Sequence, residues 1–562
     1  MSASEEAGRA RPAASGASDD AVARTAPLSF AQQGLWLAER LHPGEPTYNE
    51  PVALRLTGAL DVLALRRALN DVVRRHEALR TRFGLANGVP VQIVMAALEL
   101  ALDVEDLGAL PHGERLEEAR RRARGEHEVP FDLARGPLVR ARLLRLSADE
   151  HWLLLTMHHI VTDGWSISVI GRELAALYLS TRVRAPSPLP GLGIQYADHA
   201  LRQRGQQDGE DLRSAIDRRA GQLAGVPPLE LPTDRPRPPV AGHEGGDVRF
   251  DIDAALAGRL RDLARRERVT PFMLLLAAFE VLLARYSGQQ DFGVGVPSAG
   301  RVRPDLEPLV GFFVNMLVIR ADLSGQPGFI EFLRRVRSAA LDAYELQEVP
   351  FEALVARLAP SRDAARHPLF QVSFALHPEE RLAWRLPGLV VEPLDESGSN
   401  SAKFDLALTL TEADGGLRGR LVYAAALFDA ATAGRMARHF RTLLASIADD
   451  PRLPVGKLAL VEPGERARLA EAAGHPRTAY PEATRIERLF EAHASARPDA
   501  VAVAAPDAAI RYGELDARAN RLAHLLRAAP ANGSRRVGVF LARGADFVVA
   551  LVALLKAGLS YL

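Results

Sequence analysis

The chain has 562 residues, 48% of them hydrophobic and 25% charged, with 70 basic side chains (Lys plus Arg) balanced by 70 acidic ones. That length exceeds a single core and calls for about two to four folding units, and a zero charge balance gives no support to a nucleic-acid or acidic-membrane partner. The complete lack of cysteine excludes disulfides, thiolate metal sites and a cysteine nucleophile together.

No apolar run reaches the roughly 18–20 residues that span a bilayer, and the N-terminus lacks the basic-then-apolar pattern of a signal peptide. Residues 1–26, rich in Ala, Ser, Asp and Arg, read as a disordered lead-in, and a cytoplasmic location is expected. SFAQQGLWLAERL at 29–41 predicts a short amphipathic helix, and an extended stretch at 51–56 follows. Val62, Leu65, Leu69, Val72 and Val73 recur at helical spacing behind the N-cap candidate Asp61, which predicts a helix over 61–80. Apolar runs at 138–146 and 152–161 flank SADE and predict a β-hairpin. The second run ends in His158, His159 and the turn Thr162-Asp163-Gly164, and a helix over 165–179 follows.

Around residues 225–245 proline and glycine accumulate, the strongest internal linker signal in the chain. Beyond it a strand is predicted at 247–252, helices at 254–287, strands near 291–297 and 310–320, and helices at 328–357. A strand at 369–376, a hairpin across 404–424 and a helix over 430–448 close this part. A second boundary falls at about 450–480, followed by helices around 489, 512–529 and 546–557 and strands at 500–504 and 536–541. The organisation expected is a lead-in (1–26), two α/β lobes (27–225 and 226–455), a linker (456–480) and a βαβ series (481–562) that stops before its sheet is complete.

The chemistry concentrates in HHIVTDG at 158–164. It joins side chains whose unperturbed pKa lies near neutrality, a carboxylate and a glycine that frees the backbone to turn. Neighbours on a strand point to opposite faces, so His158 and His159 do not share one metal or one substrate, and no metal site is expected. The set suits acyl transfer to an amine. A thioester is already activated, so what remains is to take a proton from an ammonium group of pKa about 7.7–8.0 and to stabilise an oxyanion. Neutral imidazole supplies the base, and the N–H groups at Gly164, where a helix starts, favour an anion. Asp163 has two open roles, acid–base partner or anchor, and as an anchor it needs a cation. Two rival motifs fail: Gly164-Trp165-Ser166-Ile167-Ser168 lacks the second glycine of a nucleophile elbow, and Gly293-Val294-Gly295 lacks the rest of a dinucleotide loop.

Together with its flanks, this motif resembles the condensation family of non-ribosomal peptide synthetases, whose hallmark is HHxxxDG. SFAQQGLWL at 29–37, RHEALRTRF at 75–83, MHHIVTDGWS at 157–166, YADHA at 196–200, GFFVN at 311–315, VPFEALV at 349–355 and RHPLFQVSF at 366–374 follow the family's order. The resemblance covers about residues 27–465 and implies a mixed α/β fold of two chloramphenicol-acetyltransferase-like lobes in a V-shaped pseudodimer. It places the site in a tunnel between them, which phosphopantetheine arms of donor and acceptor carrier proteins enter from opposite ends. Carried over by motif, His159 is catalytic, with His158 beside it and Gly164 lining the site. Asp163 is structural and pairs with Arg80 or, second, Arg75, while Trp165, Ser166 and Asn315 face the tunnel. No cofactor is bound by the chain itself. Departures from the pattern are His199, Arg202, Met316, Leu346 and Glu348, and they bear on substrate preference.

IRYGELDARANRLAHLLR at 510–527 and LKAGLSYL at 555–562 resemble the start of an adenylation domain. Its phosphate loop lies beyond this sequence, so neither ATP binding nor amino-acid activation is expected of this piece, and the order implies an elongation-type module. PTYNEP and HHIVTDGWS lean towards an L-configured donor, delivered by a carrier on another chain or, in a starter module, as a fatty acyl group. Three alternatives remain: an epimerisation domain, a free-standing acyltransferase and a catalytically silent docking module. The last of these tends to lose the second histidine, which is present here.

Overall fold

Pairing orders the N-terminal segment where its composition alone does not. In the computed structural model, β1 (Val22–Pro27) leads into α1 (Phe30–Leu41), which Ser29 and Gln32 close with a reciprocal capping box. β2 (Asn49–Thr57) precedes α2 (Val62–Arg75), which Asp61 caps. The helix predicted over 61–80 breaks at His76, and its last residues, Glu77–Arg80, form a 3-10 turn. The hairpin of β3 (Thr81–Ala86) and β4 (Val89–Met95) comes next, then β5 (Leu102–Asp106) and α3 (His112–Glu128), none of them singled out by apolar periodicity. β1 pairs antiparallel with β4 in a small sheet of order β1-β4-β3, so residues 22–26 belong to the fold and not to a disordered lead. The structure describes residues 21–207, 209–358, 363–378, 384–394, 401–473, 485–505, 508–529 and 535–562; the rest of the expected lead-in lies outside them.

The predicted hairpin forms from β6 (Val139–Arg145) and β7 (Glu150–His158), followed by α4 (Gly164–Arg182), α5 (Tyr196–Gly205) and α6 (Glu210–Leu223). β7 is the middle strand of a sheet and is buried along nearly its whole length, which is why it reads as an apolar run instead of an alternation. Leu65, Leu69 and Val72 of α2 and Ile170 and Leu174 of α4 pack on Leu153 and Leu155 of β7.

The second lobe contains β8 (Gly245–Ile252), α7 (Ala254–Glu267), α8 (Pro271–Ser287), β9 (Asp291–Ser298), β10 (Asn315–Asp322), α9 (Phe329–Glu345) and α10 (Phe351–Leu358). It continues through β11 (Val372–His377), β12 (Val390–Pro393), β13 (Leu406–Ala413), β14 (Gly416–Ala424) and α11 (Ala430–Asp449). Its sheet runs β10-β9-β11-β13-β14-β8, with β11 parallel to both its neighbours. α8 is buried from Met273 to Leu283, and among the described residues no single helix is long and apolar enough to cross a membrane.

The lobes exchange parts, and the proline-rich stretch is not a free linker. Leu229 and Leu231 are buried in the second lobe's core, and α6, which precedes the stretch, already packs there through Ala220 and Leu223. In return β12 pairs with β2, completing the first lobe's sheet in the order β12-β2-β7-β6-β5, while Trp384 and Leu386 enter its core. Both lobes fall in one unit, Met1–Pro463.

The other unit, Gly464–Leu562, contains all but the first residue of α12 (Pro463–Ala473), then α13 (Ile486–Ala496), β15 (Val501–Ala504), β16 (Ala509–Arg511), α14 (Tyr512–Ala528), β17 (Arg536–Val537), α15 (Ala545–Ala557) and β18 (Ser560–Tyr561). Inside it the buried Lys556 ammonium donates to Glu491, Asp516 and Asn520 at 2.7–2.9 Å and ties α13, α14 and α15 together.

Candidate active site

β7 ends at His158, and the chain then turns through a 3-10 step, His159–Val161, before α4 begins. That turn sends the two rings apart. His158 is 2% exposed and edge-on to Phe131. Its Nδ1 accepts from the Ile160 N–H at 3.1 Å, so the neutral ring carries its proton on Nε2, 4.0 Å from Glu39. Burial, reinforced by His159 and Lys403, pushes its pKa down to about 3.

His159 lies half-buried with its edge on Phe312, ring centres 4.7 Å apart. Its Nδ1 is 2.7 Å from the carbonyl oxygen of Thr162. A carbonyl only accepts, so Nδ1 carries a proton, and in the neutral ring Nε2 keeps its lone pair. Burial lowers the pKa of this ring, against an upward pull from Glu50. Nε2 stands 3.4 Å from Oε1 of Glu50, which in turn lies 3.1 Å from Nζ of Lys403 in the second lobe. Thr47 and Ser401, close in sequence to Glu50 and Lys403, line a cavity of about 670 Å³ between the lobes.

Asp163 is fully buried and caps α4 through the Ser166 N–H at 2.8 Å. Its cation is neither Arg80 nor Arg75 but Arg301, whose guanidinium meets both carboxylate oxygens at 2.9 and 3.2 Å. Oδ2 also accepts from the Phe313 N–H at 3.0 Å. Arg75 is engaged by Glu173 at 2.9 Å, and Arg80 donates to the Met95 carbonyl, so each has another task. Arg301 arrives because Gly300 adopts φ +66° hard against the Phe313 carbonyl, where a side chain would collide.

A match settles the family. Residues 22–470 match the Condensation domain family and residues 490–562 the AMP-binding enzyme family. The chain belongs to the condensation domain family. It is of the non-ribosomal peptide synthetase type, followed by part of an adenylation domain. A chondramide synthase of Chondromyces crocatus is 42% identical over 543 residues, which is 95% of this chain but only 14% of that protein. The X-domain from teicoplanin biosynthesis superimposes with a TM-score of 0.70 at 33% identity, over 77% of this chain and 97% of that one. Holo-AB3403, a four-domain nonribosomal peptide synthetase, shares the fold with a TM-score of 0.80 at 23% identity, over 96% and 41% of the two chains.

Other expected site residues of the condensation domain serve to hold it together. Ser166 is fully buried and does not face open space: its hydroxyl donates to the Gly311 carbonyl at 2.9 Å and accepts the Gly311 N–H at 3.1 Å. Trp165 donates from Nε1 to the Glu307 carbonyl at 2.9 Å. Asn315 has both ends of its amide committed, donating to the carbonyls of Gln347 and Val349 and accepting from the Phe351 N–H at 3.0 Å. Gly164 is the first residue of α4, as the sequence places it. Tyr196 joins this clamp, donating to the Phe312 carbonyl at 2.5 Å. His199 acts as an aromatic ring against Phe313 at 4.9 Å, kept neutral by burial, which takes its pKa to about 4.

Sequence reasoning missed Glu50, Lys403, Arg301 and Phe312. Arg301 had a signal, since it directly follows the VPSAG stretch of the set-aside Gly293-Val294-Gly295 motif, and a buried Asp163 demands a cation. Glu50 lies within PTYNEP, but nothing there marked its carboxylate or linked it to Lys403, 353 positions away.

Proposed function

We propose that this condensation domain forms an amide between a carrier-bound donor acyl or peptidyl thioester and the amine of a carrier-bound aminoacyl acceptor. The observation that carries this reading is the 2.7 Å approach of His159 Nδ1 to the Thr162 carbonyl, which in the neutral ring leaves the Nε2 lone pair as a base. His159 takes a proton from the acceptor ammonium, and the freed amine attacks the thioester carbon. A C–N bond forms as the C–S bond breaks. The nitrogen sheds two protons in all; His159 passes the one it took to the phosphopantetheine thiolate, and the other goes to water. The oxyanion formed on the way is stabilised at the N-terminus of α4, where Gly164 and Trp165 begin the helix. The 670 Å³ cavity is the entry for one phosphopantetheine arm. The donor is L-configured, and the parent module extends a chain, a fatty acyl starter being the other donor class.

The test is to mix the protein with donor-loaded and aminoacyl-loaded carriers and to weigh the acceptor carrier intact, beside His159→Ala. The expected result is a gain of the donor mass that collapses in the variant. The likeness to the X-domain, which has also been solved in complex with OxyB, supports a second reading as a silent docking module. Absence of transfer from folded, carrier-bound protein would establish that one instead.

A further inference from the structure

Neutral His159 and Glu50 meet in an unusual way. In the neutral ring the one proton sits on Nδ1, committed to Thr162, so the Nε2 lone pair faces a carboxylate oxygen at 3.4 Å. Nothing favourable joins the two atoms in that state. Once Nε2 takes a proton the same distance becomes an ion pair. The contact therefore discriminates between the two states of the base and favours the one reached as the amine loses its proton, which is the condition for acceleration.

Lys403 sets the limit of that effect. Its Nζ lies 3.1 Å from the Oε1 atom of Glu50 that faces His159, and it stands 5.5 Å over the Tyr48 ring. Burial alone would raise the Glu50 carboxyl, but Lys403 and then His159 outweigh it and hold it at about 2. The other groups around His159 leave little to tune it. His158 is neutral near pH 7. Asp163 is locked to Arg301. His127, across Glu50, is lowered by burial.

We propose that Glu50 and Lys403, one from each lobe, form a charge pair that sets the proton affinity of His159, with Glu50 stabilising the imidazolium and Lys403 restraining that pull. Glu50 is a positioning residue for the proton, not the base. The idea rests on His159 being the base of the reaction, so it needs a readout independent of transfer.

That readout is the rate at which diethyl pyrocarbonate modifies His159 across pH, followed by peptide mass spectrometry on the intact folded chain. Glu50→Gln should move the midpoint of His159 to lower pH by about one to three units. Lys403→Met should move it to higher pH, and Lys403→Arg, which keeps the charge, should leave it in place. In the carrier assay the acid limb of the rate should follow in the same directions, and Glu50→Gln should lower the plateau about threefold to tenfold. Circular dichroism of each variant confirms folding. Midpoints that stay put, or move the same way in Glu50→Gln and Lys403→Met, overturn the proposal. Opposed shifts in a protein that transfers nothing would sustain the charge pair and sink the amide-forming reading instead.

Discussion

Asp163 and Glu50 are two carboxylates that pull on the same histidine, yet they differ in how their lone pairs are used. Asp163 is wholly buried and saturated: a guanidinium on both oxygens, a helix cap and the Phe313 N–H. It has nothing left to offer a substrate. Glu50 retains 29% of its side-chain surface and keeps one oxygen against an imidazole lone pair that it cannot bond until a proton arrives. A saturated carboxylate specifies shape. One left in an unfavourable contact is sensitive to chemistry, and the pair predicts that substitutions sort into those that lower stability and those that change rate or pH response.

The largest effect should fall on rate alone. His159→Ala removes the base and should cut transfer by about 10²–10⁴-fold, with its urea midpoint close to that of the parent. A comparable loss of stability would break the comparison, because it would make His159 part of the anchor. Next comes the anchor itself. Arg301→Met leaves Asp163 buried without a cation and should destabilise the fold by about 3–5 kcal/mol, read from urea denaturation. Glu50→Gln should change the same stability by no more than about 1 kcal/mol, the range of part-exposed ion pairs.

This division of labour was only half legible in the sequence. Periodicity found helices such as α2 and the central hairpin because each buries one stripe or one strand, as Leu65, Leu69 and Val72 do, but it gave no sign of α3, α5 or α6. It passed over β3, β4 and the edge strand β5, whose partly exposed residues, like those of α3, give no sustained apolar run. It also placed the lobe boundary at a proline-rich stretch that lies in the second core, where Leu229 and Leu231 supply the apolar anchors. HHxxxDG located the site; strand alternation predicted that its histidines part, although it is the 3-10 turn after His158 that parts them. The need of Asp163 for a cation was legible, but its identity was not: Arg301 follows Asp163 by 138 residues, and Arg80 and Arg75 were nearer but engaged elsewhere.

A third test uses the buried histidine. The His158 pKa is about 3 in the folded protein against about 6.5 unfolded. The unfolded chain then binds more protons between those values, so stability contributed by neutral His158 is full above pH 6.5 and declines as pH falls towards 3. His158→Asn should flatten that acid limb, while His199 and His367, each held at about 4, continue to contribute to it. Urea midpoints at a series of pH values measure the slope. An unchanged slope would mean that His158 is hydrated in solution and belongs with Glu50 on the responsive side.

A last substitution sharpens the boundary between the two classes. Ser166 sits three residues beyond Asp163 in the first turn of α4, close enough to the motif to be read as part of the tunnel, but its hydroxyl is held on both sides of Gly311 and accepts a further bond from Arg301 at 3.0 Å. Ser166→Ala deletes that hydroxyl and leaves the Gly311 carbonyl and N–H buried, at a cost of about 1–3 kcal/mol. Because Gly311 begins the segment that carries Phe312 against His159, a loosened clamp should also lower the rate, without moving its pH limb. A shifted limb in Ser166→Ala would show that the anchor reaches the proton as well as the shape, and that the two carboxylates form one coupled network.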